Sequence, residues 1–164
     1  MNFSIELQYP AAAETVMKMV VDKRYFERKY QALEVADFTI TQHQVSDQTF
    51  GIDFRFRAAG ATNIPEFAKK FVGDAIRVKQ AERWQIAQRK GTIDIDIAGA
   101  PVSVHADMQL FAKDANRSML RLDWTIRCGV PLLGGKVEKL IAEDVRRRAE
   151  ADGAISAKLV SEYA

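Results

Sequence analysis

Between residues 3 and 128 almost every extended stretch alternates apolar and polar side chains, and after Gly134 the pattern turns helical. Alternation gives a strand one dry face and one wet face, as in antiparallel sheets covered on one side. Phe3, Ile5, Leu7 and Tyr9 share the first dry face. Phe38 and Ile40 resume the pattern with Gln42 in phase, while Thr39, Thr41 and His43 fall on the polar phase. Phe50, Ile52, Phe54 and Phe56 come next, then Ile76, Val78, Trp84 and Ile86, then Ile93, Ile95 and Ile97. Val102, Val104, Ala106, Met108 and Leu110 precede the last set: Leu120, Leu122, Trp124, Ile126 and Cys128. Turn residues at Ser46-Asp47, Arg89-Lys90-Gly91, Gly99-Ala100-Pro101 and Asp114-Ala115-Asn116 separate these runs at hairpin spacing. The prediction is about seven antiparallel strands.

Helical periodicity appears in four places. A helix is predicted to begin at Pro10, which the first turn tolerates, with Val16, Met19, Val20 and Val21 as its stripe. A second short helix follows Asp22 and carries Tyr25, Phe26, Tyr30 and Leu33. Residues 65–71 read as a helical insert ending at Gly73, with Phe67 and Phe71 four apart on one face. The final helix, residues 134–163, has an apolar stripe of Val137, Leu140, Ile141, Val145, Ile155 and Leu159. About 30 residues at 1.5 Å each span roughly 45 Å, enough to cross a whole sheet. Gly153 interrupts it, at about 1 kcal/mol against alanine, and marks a bend or a close contact with the sheet.

Strand, two short helices, about six strands and a long C-terminal helix is an order that resembles the helix-grip fold of the START-like and birch-allergen-like (SRPBCC) superfamily. Val130-Pro131-Leu132-Leu133-Gly134-Gly135-Lys136-Val137-Glu138-Lys139-Leu140 resembles the loop-into-helix junction of an uncharacterised bacterial family within it. The insert Phe67-Ala68-Lys69-Lys70-Phe71-Val72-Gly73 and the following Glu82-Arg83-Trp84 are similar to the same family. The resemblance covers nearly the whole chain. It implies an α+β class, with a curved sheet wrapped around the long helix. It also implies a superfamily of lipid carriers, aromatic polyketide cyclases, hormone receptors and protein binders, and fold alone does not choose among these.

Composition narrows the choice. At 164 residues, with 48% apolar and 28% charged side chains, the chain has the make-up of one ordinary globular domain, residues 1–164. A net charge of +2 gives no whole-molecule reason to bind nucleic acid or anionic membrane. Arg55, Arg57, Arg77, Lys79 and Arg83 share an outer phase, and Arg146, Arg147 and Arg148 form a second cluster. Neither has the interleaved aromatics that nucleic-acid binding needs, so solvated faces or an acidic protein partner fit better. The start of the chain lacks the pattern of a signal peptide, and no apolar run approaches a membrane span. A reducing, cytoplasmic location without membrane insertion is expected.

No catalytic set or metal site emerges. Cys128 stands alone and reads as packing. His43 and His105 lack a third ligand or a nucleophile partner and read as surface residues. Gly134-Gly135-Lys136 fails as a phosphate loop, because Val130 stands where the first glycine belongs and Val137 follows the lysine. No cofactor is expected.

A binding site is expected between sheet and helix. Phe54, Phe56, Ile76, Val78, Trp84, Ile95, Val104, Met108, Leu122 and Trp124 would line it from the strands, and Leu140, Ile141 and Val145 from the helix. Glu82 and Gln80 fall on the inward phase beside Val78 and Trp84. Asp144 and Arg148 lie four apart beside the helix stripe, so Arg148 would pair with Asp144 or reach Glu82. These groups either orient a ligand's polar end or form an ion pair at the sheet's end, with a bulge turning Glu82 outward. Ile64, Phe67, Phe71 and Val72 form either a lid over the mouth or a satellite cluster closing the core. The leading expectation is a non-catalytic binder or carrier of an apolar small molecule, a lipid or aromatic metabolite. The alternatives are a cyclase or dehydratase using Glu82 or Asp144 as general acid or base, and a protein-interaction module whose core is filled by its own side chains.

Overall fold

The computed structural model describes residues 1–58, 65–73 and 75–164, with the backbone alone at Phe71 and Val72. Its strands are β1 (Asn2–Tyr9), β2 (Ala36–Val45), β3 (Thr49–Arg57), β4 (Arg77–Gln85), β5 (Lys90–Ile97), β6 (Val102–Asp114) and β7 (Arg117–Cys128). Its helices are α1 (Ala13–Val20), α2 (Lys23–Ala32), α3 (Glu66–Val72) and α4 (Gly134–Leu159), and a 3-10 turn covers Val160–Tyr163. The seven strands form one antiparallel sheet in the order β1-β7-β6-β5-β4-β3-β2. This is the helix-grip α+β fold that the resemblance implies.

The first helix begins at Ala13 and not at Pro10. Pro10 instead lies in the bend that leaves β1. Asp22 caps α2, its carboxylate accepting from the Arg24 backbone N–H at 2.9 Å. Two covers then share the concave face of the sheet. From α2, Phe26 packs on Phe50 and Phe54, and Tyr30 on Phe38, Phe54 and Phe56. α4 lies over β1 and β7 and meets α2. Gly153 is a point of close approach: a β-carbon there would stand 3.1 Å from Leu7 Cδ2.

Register carries the apolar phases into continuous rows. Phe54, Gln80, Ile95, Val104 and Ile126 are successive cross-strand neighbours, as are Ile52, Glu82, Ile93, Ala106, Trp124 and Phe3. β2 departs from simple alternation. A register shift between Ile40 and Gln42 places Gln42 opposite Asp53 and His43 opposite Ile52. One extra residue reverses the phase, so His43 joins the concave side with its ring 5.6 Å from Phe50. The expectation that it continues the polar phase is corrected, although the side chain remains exposed at the sheet's edge.

Candidate functional site

The concave face has a dry centre and a half-open end. Phe54, Phe56, Val78, Trp84, Val104, Met108, Leu122 and Trp124 are all buried in the core. Ile76, Ile95, Ile141 and Val145 are half-buried, and Leu140 is exposed. The half-buried group extends to Leu33, Val35, Phe38 and Val102. Most of these belong to one end of the molecule, where β3 leaves for α3, β4 enters and β7 runs into α4. Half-buried apolar side chains from the sheet, the end of α2 and the first half of α4 therefore gather at that end. Phe67 of α3 is half-buried. Ile64 lies outside the described residues, as do the side chains of Phe71 and Val72.

Deeper in, the seam between α2 and α4 is polar. Lys29 is only 6% exposed. Its ammonium sits 5.1, 5.5 and 5.1 Å from the ring centres of Tyr25, Phe26 and Tyr30, and 3.6 Å from Asp152 Oδ2. Cation–π attraction recovers part of what the ammonium loses on leaving water. Beside this pair, Tyr25 Oη and Ser156 Oγ are 2.7 Å apart in a buried hydrogen bond. From the sheet, Glu82 is buried with Gln80, whose Nε2 donates to Glu82 Oε1 at 2.7 Å. No bulge turns Glu82 outward: β4 pairs with β3 and β5 in continuous register.

The electrostatics follow from this enclosure. Burial raises the Glu82 carboxyl above its usual range; Lys29 and Gln80 oppose the rise without cancelling it. Burial works against the Lys29 ammonium too. The surrounding oxygens of Tyr25, Asp152, Tyr30 and Glu82 more than offset it, so Lys29 stays protonated well above the ordinary lysine range. Tyr9, Tyr25 and Tyr30 are held neutral by burial. The result is an acid with a raised pKa near a fixed cation, in apolar walls.

Asp144 and Arg148 pair with each other on α4. Arg148 Nε donates to Asp144 Oδ2 at 2.6 Å, both side chains are more than a third exposed, and Arg147 also pairs with Asp144. They lie near the middle of α4. Lys29 was not among the residues singled out from sequence. A signal was present: it lies four residues after Tyr25 and three after Phe26, on the face α2 buries. A separate open hollow of about 570 Å³ is lined by Phe50, Gly51, Trp84, Gly91 and Met108 among others. Its charged residues Arg83, Lys90, Asp107 and Asp123 are all exposed, so the enclosed Lys29–Glu82 region is the better candidate for selective recognition. On the outer face, His105 Nδ1 lies 2.7 Å from Asp94 Oδ1. Among the described residues no group of three or more His, Cys, Asp or Glu side chains is arranged to hold a metal.

No curated protein matches the chain. Among solved structures, a START superfamily protein from Mycobacterium smegmatis superposes with a TM-score of 0.57 at 15% identity, covering 96% of this chain and 98% of the other. The Zhui aromatase/cyclase of a Streptomyces species gives 0.64 at 13% identity, over 98% and 93% of the two chains. Norcoclaurine synthase from Thalictrum flavum gives 0.63 at 15% identity, over 99% and 87%. At such identities the likeness is one of fold. The family described as "Protein of unknown function (DUF2505)" matches residues 4–160, so the chain belongs to that family.

Proposed function

We propose that this protein binds and carries an apolar small molecule, a lipid or aromatic metabolite, between the concave sheet and α4. The observation that carries the reading is the placement of Lys29, Glu82 and Gln80 among aromatic walls, behind a half-buried apolar mouth. Buried polar groups of this kind cost free energy, and a ligand whose polar end they orient gives them a use. In this reading Ile76, Ile95, Leu140, Ile141 and Val145 form the entrance, α3 is its lid, and the fully buried strand residues form the floor. The reading treats residues 1–164 as one domain acting in the bacterial cytoplasm. Among the described residues no helix is long and apolar enough to cross a membrane.

Native mass spectrometry of freshly purified protein tests this, followed by identification of what denaturation releases. A stoichiometric extra mass of the order of a few hundred daltons is expected. Ile141→Trp should abolish it without unfolding the protein, because the half-buried Ile141 leaves room for the indole to fill the entrance. Leu122→Trp is the poorer test, since Leu122 is only 6% exposed in the core. Unchanged uptake by folded Ile141→Trp would remove the entrance assignment. A clean mass with no uptake of apolar probes would favour a filled core and a protein partner.

A catalytic reading has one observation in its favour, the raised carboxyl of Glu82 near a cation, which suits a general acid in cyclase or dehydratase chemistry. The structural neighbour named as an aromatase/cyclase supports asking the question. Turnover that depends on pH and disappears in Glu82→Gln would establish it.

A further inference from the structure

The hydrogen-bonding capacity of the buried cluster is uneven. Lys29 offers three N–H donors and no acceptor. Its ion-pair partner among the described residues is Asp152, at 3.6 Å, too long for a hydrogen bond. The rings of Tyr25, Phe26 and Tyr30 wall the ammonium without accepting a conventional hydrogen bond. Two donors elsewhere on this face are unmet. The indole nitrogens of Trp84 and Trp124 are buried and have no acceptor among the described residues. Trp84 is on the same strand face as Glu82, and Trp124 lies in the cross-strand row of Glu82, with Ile93 and the small Ala106 between them. Against these donors stand Asp152, whose ionised carboxylate only accepts, and Glu82, which accepts when ionised.

The polar end of a ligand that suits this set must both accept and donate. A carboxylate would face Glu82 and Asp152. An ammonium would face Lys29. An ether or ketone accepts from the donors but offers nothing to Glu82. Resting on the groove proposed above, we propose that the Lys29–Glu82 cluster anchors the hydroxyl group of a neutral aromatic or alicyclic molecule. The hydroxyl oxygen accepts from the Lys29 ammonium and its proton is directed to Glu82, while the aromatic wall of α2 and β3 packs the apolar body.

The test uses four probes of one size, naphthalene, 2-naphthol, 2-methoxynaphthalene and 2-naphthoate, titrated at neutral pH into the wild type, Lys29→Met and Glu82→Met. Circular dichroism checks that each variant folds, and the second variant serves if the first does not. The wild type is expected to bind 2-naphthol about tenfold or more tightly than the other three, and both variants to lose that preference while keeping naphthalene. Equal binding of naphthalene and 2-naphthol, or a preference for 2-naphthoate, would overturn the hydroxyl assignment and leave the groove standing. A preference that persists in both variants would overturn the role of Lys29 and Glu82. Failure of every probe to bind the wild type would remove the groove itself, and this inference with it.

Discussion

Tyr25 Oη and Ser156 Oγ, separated by 131 positions in sequence, share a buried hydrogen bond of 2.7 Å that joins α2 to α4. Ser156 is 1% exposed, so its loss leaves the tyrosine hydroxyl without that partner. Ser156→Ala should destabilise the fold by about 1–3 kcal/mol, read as a lower urea midpoint at unchanged slope. No change would mean that another acceptor takes the phenol.

Lys29 and Glu82 should be coupled. Lys29→Met leaves Asp152 and Glu82 without their shared cation and is expected to cost of the order of 3 kcal/mol. Adding Glu82→Gln should return part of that loss, because the second variant removes the charge that the first strands. A double-mutant cycle in denaturant measures the sign; additive losses would show that the two groups do not sense each other.

The raised pKa of Glu82 has a consequence for stability against pH. In the folded protein the carboxyl holds its proton to higher pH than in the unfolded chain, where the usual value is about 4.3. Between the two pKa values the folded state binds more protons, so stability is full below the unfolded value and is lost as pH rises through the folded one. Glu82→Gln should flatten the stability profile across that window. A parallel profile in wild type and variant would show that Glu82 does not titrate differently on folding.

His105 carries the same sign for a different reason. Its hydrogen bond to Asp94 is the main influence raising the imidazole pKa. The stability it adds is present at acidic pH and lost as pH rises through the folded value. Asp94→Asn should lower the His105 titration midpoint seen by NMR and reduce stability at pH near 5.5 more than at about 8.5. An unmoved midpoint would count against the pairing.

Gly91 has no room for a side chain. A β-carbon there would stand 2.4 Å from the Arg83 carbonyl oxygen and 2.9 Å from Trp84 Cδ2. The carbonyl belongs to a paired strand and cannot swing away. Gly91→Ala should destabilise by about 1–3 kcal/mol, with altered Trp84 fluorescence as a local report. A neutral substitution would mean that the β4–β5 hairpin relaxes freely.

The dry faces of most strands, three of the four hairpin turns and the length of α4 were legible in the sequence, because alternation and helical period are local properties of burial on one side; the turn expected at Arg89-Lys90-Gly91 instead covers residues 86–89, and Lys90 and Gly91 begin β5. The family resemblance rested on that order and on segments such as the Val130–Leu140 junction. The inward position of Glu82 was readable from its phase with Val78 and Trp84. The position of His43 was not, since one extra residue in β2 reverses the phase and nothing in Thr41-Gln42-His43 announces it.

Lys29 marks the boundary more sharply. By itself the sequence set a lysine on the apolar side of a short helix and an aspartate on the final one, 123 residues apart. Whether such a lysine reaches past the core to water or ends inside it depends on what lies above. Only the packing of α2 beside α4, over the row that holds Glu82, decided that its ammonium stays within aromatic walls and between carboxylates. Local pattern fixes which faces avoid water; the neighbours of a buried charge are chosen by elements far apart in the chain, whose meeting no local period encodes.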